Sequence, residues 1–180
     1  MDDAITQFIN AAAGSQPVVD FVAMFAGKVG VPLLVALVGI QWWSRIDRPH
    51  VRHACVAAGI SFLLGLGVNQ LIIAFVHRPR PYDAGITHLI IDRSADWSFP
   101  SDHATASVAI AAAFAMQRLP RRTMLFALLT LLICWSRIYV GTHYLSDVLG
   151  GALVGIVFAV LVRFCYRENT RFDRLVTGLL

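Results

Sequence analysis

The chain has 180 residues, 57% of them hydrophobic and only 14% charged, and a mean hydropathy of +0.66. A soluble domain carries about 25% charged residues, so this composition excludes an ordinary water-soluble enzyme and points to a protein built into a membrane. The net charge of +4 would suit nucleic-acid binding, but the basic residues are gathered in connections between apolar runs, which reads as membrane topology and excludes a nucleic-acid partner.

The opening stretch MDDAITQFINAAAGSQP is too polar to span a bilayer and lacks the basic leader of a cleaved signal peptide. Its apolar positions Ile5, Phe8, Ile9 and Ala12 follow a helical stripe, which predicts a short helix lying on the membrane interface. Five apolar runs follow, at roughly 18–43, 53–76, 104–117, 123–140 and 147–163. A spanning helix needs about 20 residues to cross about 30 Å of hydrocarbon. The third run is short, and a start at Ser101 lengthens it. The expected fold is therefore all-α: one integral-membrane domain over 1–180, a polytopic bundle of about five transmembrane helices with an N-terminal interfacial helix.

Within the second run, Asn69 and Gln70 read as interhelical hydrogen bonds. Cys55, Cys134 and Cys165 lie in or beside the runs with no metal-ligand spacing, so they read as small packed side chains. Ten of the fifteen basic residues occupy alternate connections: Arg45, Arg48 and Arg52, then Arg118, Arg121 and Arg122, then Arg163, Arg167, Arg171 and Arg174. The positive-inside rule makes that side cytoplasmic and puts the N-terminus outside. Residues 77–100 and 141–146 then face outward as well.

The polar side chains that remain sit at these outer helix ends. In FPSDHAT, residues 99–105, Pro100 is suited to opening a helix. The amides of Ser101, Asp102 and His103 would then offer the positive end of the helix dipole to an anion. The plainer use of Ser101 or Asp102 is as a helix cap. Arg78 and Arg137 stand at span ends, where arginine often only reaches for headgroups. Arg80 is expected to do that. Two guanidiniums beside a helix start would make a receptor for phosphate oxygens. His143 and Asp147 are four apart, on one helical face. A carboxylate that fixes one imidazole nitrogen leaves the other as a base or nucleophile, and His103 is suited to protonating a leaving oxygen. Together these groups point to phosphoryl transfer through a phosphohistidine, without a metal cage.

The pattern R-P at 78–79, P-S-x-H at 100–103 and S-R-x5-H-x3-D at 136–147 resembles the three signatures of the type 2 phosphatidic acid phosphatase superfamily. The resemblance implies that His143 attacks phosphorus, Asp147 orients it and His103 protonates the leaving group. It makes Arg78, Ser101, Arg137 and Asp102 the substrate-binding residues and calls for no metal or other cofactor. The signature lysine, seven residues before the arginine, would fall at Leu71. Lys28, the one lysine in the chain, is a candidate substitute.

Within the superfamily, Asp102, the RPRP tract and the small size resemble bacterial undecaprenyl-diphosphatases of the BcrC type. That likeness implies release of phosphate from undecaprenyl diphosphate at the outer face of the cell (inner) membrane, with lipid phosphates and membrane lipids as partners. Two alternatives stand beside it. One is a phosphatidylglycerophosphate or broad-specificity lipid phosphate phosphatase. The other is a non-catalytic protein that binds or transports anionic lipids. The loop 83–98 is expected to shape headgroup entry, with Trp97 as an interfacial anchor and His88 and Asp92 as candidate contacts.

Overall fold

The computed structural model describes residues 1–178, and the described residues fold into seven helices. They are α1 (Asp2–Asn10), α2 (Pro17–Gln41), α3 (Arg48–Phe75), α4 (Asp102–Met116), α5 (Pro120–Tyr139), α6 (Leu145–Cys165) and α7 (Arg171–Thr177). Prolines at the starts of α2, α3 and α5 suit positions where a backbone N–H has no helical partner. Helices α2, α3, α5 and α6 are long and apolar enough to cross a membrane. Their outward faces carry Leu63, Leu71, Leu128, Leu131 and Leu153, each more than half exposed. A surface this apolar fits lipid and not water.

Helix α4 has 15 residues, about 22 Å at 1.5 Å per residue, so it is shorter than the hydrocarbon layer. It does not face lipid along its length, because α3, α5 and α6 all pack on it. Its sequence DHATASVAIAAAFAM is built from small residues, which lets its neighbours come close. On α6, Gly155 lies against α4 so tightly that a Cβ there would stand 2.7 Å from the Thr105 carbonyl oxygen and 2.9 Å from the Ala109 nitrogen. The main apolar core sits on the far half of α4, where Phe114 meets Phe126 with ring centroids 4.5 Å apart.

The arginine-rich connections gather at one end, as their alternation predicts. There His50 bonds the Gln117 carbonyl at 2.8 Å and Glu168 at 2.9 Å, and Arg52 holds the Thr177 carbonyl at 2.7 Å. Helix α7, which the apolar pattern does not reveal, is tied down at this end through Asp173 and His53. The other end carries α1 and the long irregular stretch between α3 and α4.

Helix α1 turns polar residues toward the rest of the chain. Its buried residues are the polar Thr6 and Asn10, and Phe8 is 83% exposed. The physical reason is that Asn10 bridges the 76–101 stretch and the end of α5, donating to the carbonyls of His88 and Tyr139 and accepting from the His88 N–H. A buried amide so placed satisfies three backbone groups at once.

The close approach of α4 and α6 yields a stability test. Gly155→Val overpacks the contact and should cost about 1–3 kcal/mol, lowering the unfolding temperature in detergent. Gly59→Ala on α3, where a Cβ would meet nothing within 4 Å, should leave it unchanged or higher.

Candidate active site

The last turn of α5 continues into a tight connection that delivers His143. Gly141, with φ +86°, turns the chain, and the N–H groups of Thr142 and His143 both donate to the Arg137 carbonyl. Helix α6 then starts at Leu145. Its N-terminal turn is closed by the Asp147 carboxylate, which accepts from the Tyr144 N–H at 2.8 Å.

His143 is 4% exposed and Asp147 fully buried. The pair stands at 3.6 Å, from His143 Nδ1 to Asp147 Oδ2, which is outside hydrogen-bond range. The acceptor for the Nδ1 proton is instead the Ser98 carbonyl at 2.9 Å. Ser98 also donates its hydroxyl to Asp147 Oδ2, so one residue touches both members of the pair. This sets the proton on Nδ1 and leaves the lone pair on Nε2, with Arg80 Nη1 3.4 Å away. Burial drives the His143 pKa from its usual 6.5 to about 4, against the pull of Asp147 and with Arg137 and Arg80 adding to the depression. At neutral pH the ring is an uncharged base. Ser98 has no signature in the sequence, because its decisive group is a backbone carbonyl.

Nε2 faces a small cavity of about 110 Å³ lined by Ile73, Arg80, His103, Arg137 and the Pro100–Asp102 turn, among others. His103 and Arg137 also line a larger cavity of about 900 Å³, bounded by α2 and the 88–92 loop. The two therefore meet at these side chains. Arg137 is 8% exposed, its Nε has no hydrogen-bond partner, and among the described residues it has no carboxylate within ion-pair distance. A buried guanidinium in that state calls for an anion. The fully buried Ser101 hydroxyl is likewise without a partner.

The two arginines of the RPRP tract exchange their expected places. Arg78 points away from the cavity. Its Nη1 donates to Asp147 Oδ1 and to Ser146 Oγ, both at 2.6 Å, its Nη2 bonds Asp2 at 2.8 Å, and it stacks 3.9 Å from the Tyr144 ring. Desolvation opposes these charges, yet their hydrogen bonds prevail, so Asp2 is held below the usual carboxylate range and Arg78 above its own. Arg80, expected at the headgroups, is 5% exposed and lines the small cavity. Its Nη1 lies 3.4 Å from His143 Nε2 and donates to the Thr142 carbonyl at 3.0 Å, while Nη2 pairs with Asp96 at 2.7 Å. The reason is the path of the loop: the Ser98 N–H returns to the Arg78 carbonyl at 2.9 Å, turning Arg78 to the back of the site and Arg80 to its front.

This shift also moves the position seven residues earlier, from Leu71 to Ile73. Leu71 is 64% exposed on the outer face of α3, whereas Ile73 lines the small cavity.

One further expectation changes. Pro100 precedes α4 and does not open it. Ser101 is the N-cap, and its N–H donates to the Asp147 carbonyl at 3.1 Å. The Asp102 and His103 amides are left at the open helix end. Asp102 lines the small cavity, and its carboxylate accepts from Asn69 at 2.7 Å and from Gln70 at 3.3 Å. Those two bonds tie α3 to α4, the role read for Asn69 and Gln70. Trp97 packs on His77 at 5.0 Å and lines the small cavity, while His88 and Asp92 line the larger one. Among the described residues no group of three or more His, Cys, Asp or Glu side chains could hold a metal ion.

A model of the PAP2 superfamily matches residues 54–171, which include every group around His143. The chain belongs to the PAP2 superfamily. It is a multi-pass membrane lipid phosphatase, a phosphoric-ester hydrolase. Among PAP2 relatives it is 34% identical to undecaprenyl-diphosphatase BcrC of Bacillus subtilis, over 89% of this chain and 82% of that one. It is 32% identical to the putative undecaprenyl-diphosphatase YbjG of Escherichia coli, over 86% and 77%. In fold it is similar to the crystal structure of a transmembrane PAP2-type phosphatidylglycerolphosphate phosphatase from Bacillus subtilis. That match has a TM-score of 0.66 at 21% identity, covering 95% of this chain and 87% of that one. LpxE of Aquifex aeolicus gives 0.60 at 25% identity, covering 88% and 92%.

The exchange of arginines predicts different losses. Arg80→Ala should lower kcat/KM for a lipid phosphate by about 10²–10³, as for removal of a preorganised donor. Arg78→Ala should act mainly on stability, lowering the unfolding temperature with a smaller loss of rate. Steady-state kinetics beside thermal unfolding check this, and a reversed order would return Arg78 to the cavity.

Proposed function

We propose that this protein hydrolyses undecaprenyl diphosphate to undecaprenyl phosphate and phosphate through a phosphohistidine at His143. The observation that carries the reading is the unprotonated Nε2 of a neutral, fixed imidazole beside a small cavity with an unpaired guanidinium. Nε2 attacks the terminal phosphorus as the bond to the bridging oxygen breaks. His103, at the junction of the two cavities, gives a proton to that oxygen. It then takes one from water, which attacks phosphorus, breaks the P–N bond and returns His143 to its neutral form. Arg80, Arg137 and the Ser101 hydroxyl hold the phosphate oxygens, and Asp147 steadies the positive charge that the ring acquires. Binding or transport of a lipid alone would not require an imidazole with a fixed proton.

The diphosphate substrate is supported by the two similar undecaprenyl-diphosphatases. A second reading, a phosphatidylglycerophosphate or broad lipid phosphatase, draws on 29% identity to phosphatidylglycerophosphatase B of Bacillus subtilis. Clustering of the arginine-rich connections at the end away from His143 supports a site on the outer face of the cell (inner) membrane.

Phosphate release by purified protein in detergent decides between substrates. Undecaprenyl diphosphate should be cleaved with a higher kcat/KM than phosphatidylglycerophosphate or phosphatidic acid, and the reverse order would favour the second reading. His143→Ala should abolish turnover. His103→Ala should be slow on lipids but much less so on p-nitrophenyl phosphate, whose leaving group needs no proton. Rescue of His143→Ala by that substrate would exchange the two roles.

Sidedness has its own check. In a cysteine-free background, Asp83→Cys should react with an impermeant thiol reagent on intact cells and Ile46→Cys should not. Both positions are exposed, so the opposite pattern would put the site on the cytoplasmic face.

A further inference from the structure

Lys28 lies on α2, eleven residues beyond Pro17, about 16 Å along the helix at 1.5 Å per residue. That is well inside a spanning segment, where an ionisable side chain is costly and usually marks a site. It is exposed, among the described residues it forms no ion pair or hydrogen bond, and it lines the larger cavity together with His103 and Arg137. Its neighbour Gly27 is where α2 meets Arg137, since a Cβ there would stand 3.0 Å from Arg137 Nη1. Lys28 thus lines the larger cavity next to the point where α2 meets Arg137, a side chain that both cavities share.

The small cavity holds one phosphate and little more. Whatever that phosphate is bonded to must pass His103 and Arg137 into the larger space. In a monophosphate ester the next group is a neutral carbon chain. In a diphosphate it is a second phosphate, still charged after cleavage. The walls beyond, among them Met24, Ile90, Ile91 and Val140, suit an apolar tail.

We propose that Lys28 binds the second phosphate of a diphosphate substrate, the one that departs with the lipid, and so sets a preference for diphosphates over monophosphates. This rests on the diphosphatase reading above. It also accounts for the cation count. Ile73 stands in the small cavity at the position seven residues before Arg80, so the phosphate under attack has one cation fewer. The leaving phosphate gains one from a different helix.

The test uses full-length protein in detergent, with p-nitrophenyl phosphate as the reporter substrate. Methylenediphosphonate, a diphosphate that cannot be cleaved, and orthophosphate serve as competing inhibitors. Lys28→Met should raise the Ki of methylenediphosphonate about tenfold or more, the worth of one charge-assisted hydrogen bond. The Ki of orthophosphate should stay within about twofold by the same reasoning. Lys28→Arg should restore most of the diphosphonate affinity. Equal weakening of both inhibitors, or no change in either, would overturn the proposal.

The lipid substrates separate this idea from the reading beneath it. If wild-type protein cleaves phosphatidic acid but not undecaprenyl diphosphate, while methylenediphosphonate inhibition still depends on Lys28, the substrate reading falls and the diphosphate site stands. If undecaprenyl diphosphate is cleaved equally well by wild type and Lys28→Met, the substrate reading stands and the Lys28 site falls.

Discussion

A carboxylate with no exposed surface inside an apolar bundle has to be solvated by protein, because water and lipid both fail to reach it. Asp147 is that carboxylate, and the end of the molecule that carries His143 is arranged around its needs. Arg78 supplies a counter-charge at 2.6 Å, the Tyr144 N–H a donor at 2.8 Å and Ser98 a hydroxyl. Arg78 is steadied in turn by Asp2, which also accepts from the Ser146 N–H and hydroxyl. The backbone carbonyl of Asp147 takes the Ser101 N–H and so fixes where α4 begins. Three chain segments distant in sequence, α1, the 76–101 stretch and the start of α6, are thus assembled on one side chain. His143 is the neighbour of that assembly.

The distribution of polar groups sorts two similar histidines into different roles. His53 also pairs with a buried carboxylate, Asp173, at 2.8 Å. Its other nitrogen, however, lies 3.2 Å from the Gln117 amide, and Tyr166 covers its ring at 4.6 Å. Both nitrogens are engaged, so this histidine can only tie α3 to the tail of the chain. His143 turns its second nitrogen to the small cavity, where its neighbour at 3.4 Å is the Arg80 guanidinium and no ring covers it. The distinction lies in what surrounds the second nitrogen, and a histidine–aspartate pairing alone does not express it.

Much of this was legible from residues alone, and the losses have identifiable causes. The spans are visible because a lipid-facing helix must be apolar nearly all round. The relation of His143 to Asp147 is visible because four residues make one helical turn. Arg78 and Arg80 could not be told apart by pattern, since each precedes a proline. The return of the chain at Ser98 decides between them, and that is a property of the loop path. Helix α1 was readable as a helix, but the burial of Thr6 and Asn10 was not, because Asn10 is held by backbone groups of His88 and Tyr139. Ser98 was invisible for a similar reason, as the atom that matters is common to every residue.

That last point bears on how this fold would respond to variation. The group that holds the His143 proton is a peptide oxygen, so no exchange of side chain at position 98 can delete it. It carries no full charge, so it orients the ring without drawing a proton onto it as a nearer carboxylate would. A substitution scan across the chain would therefore pass over this acceptor and register instead the residues that shape the turn leading into α4. A change at Phe99 that displaced this oxygen, 2.9 Å from the imidazole, would do so with the His143, His103 and Asp147 side chains unaltered.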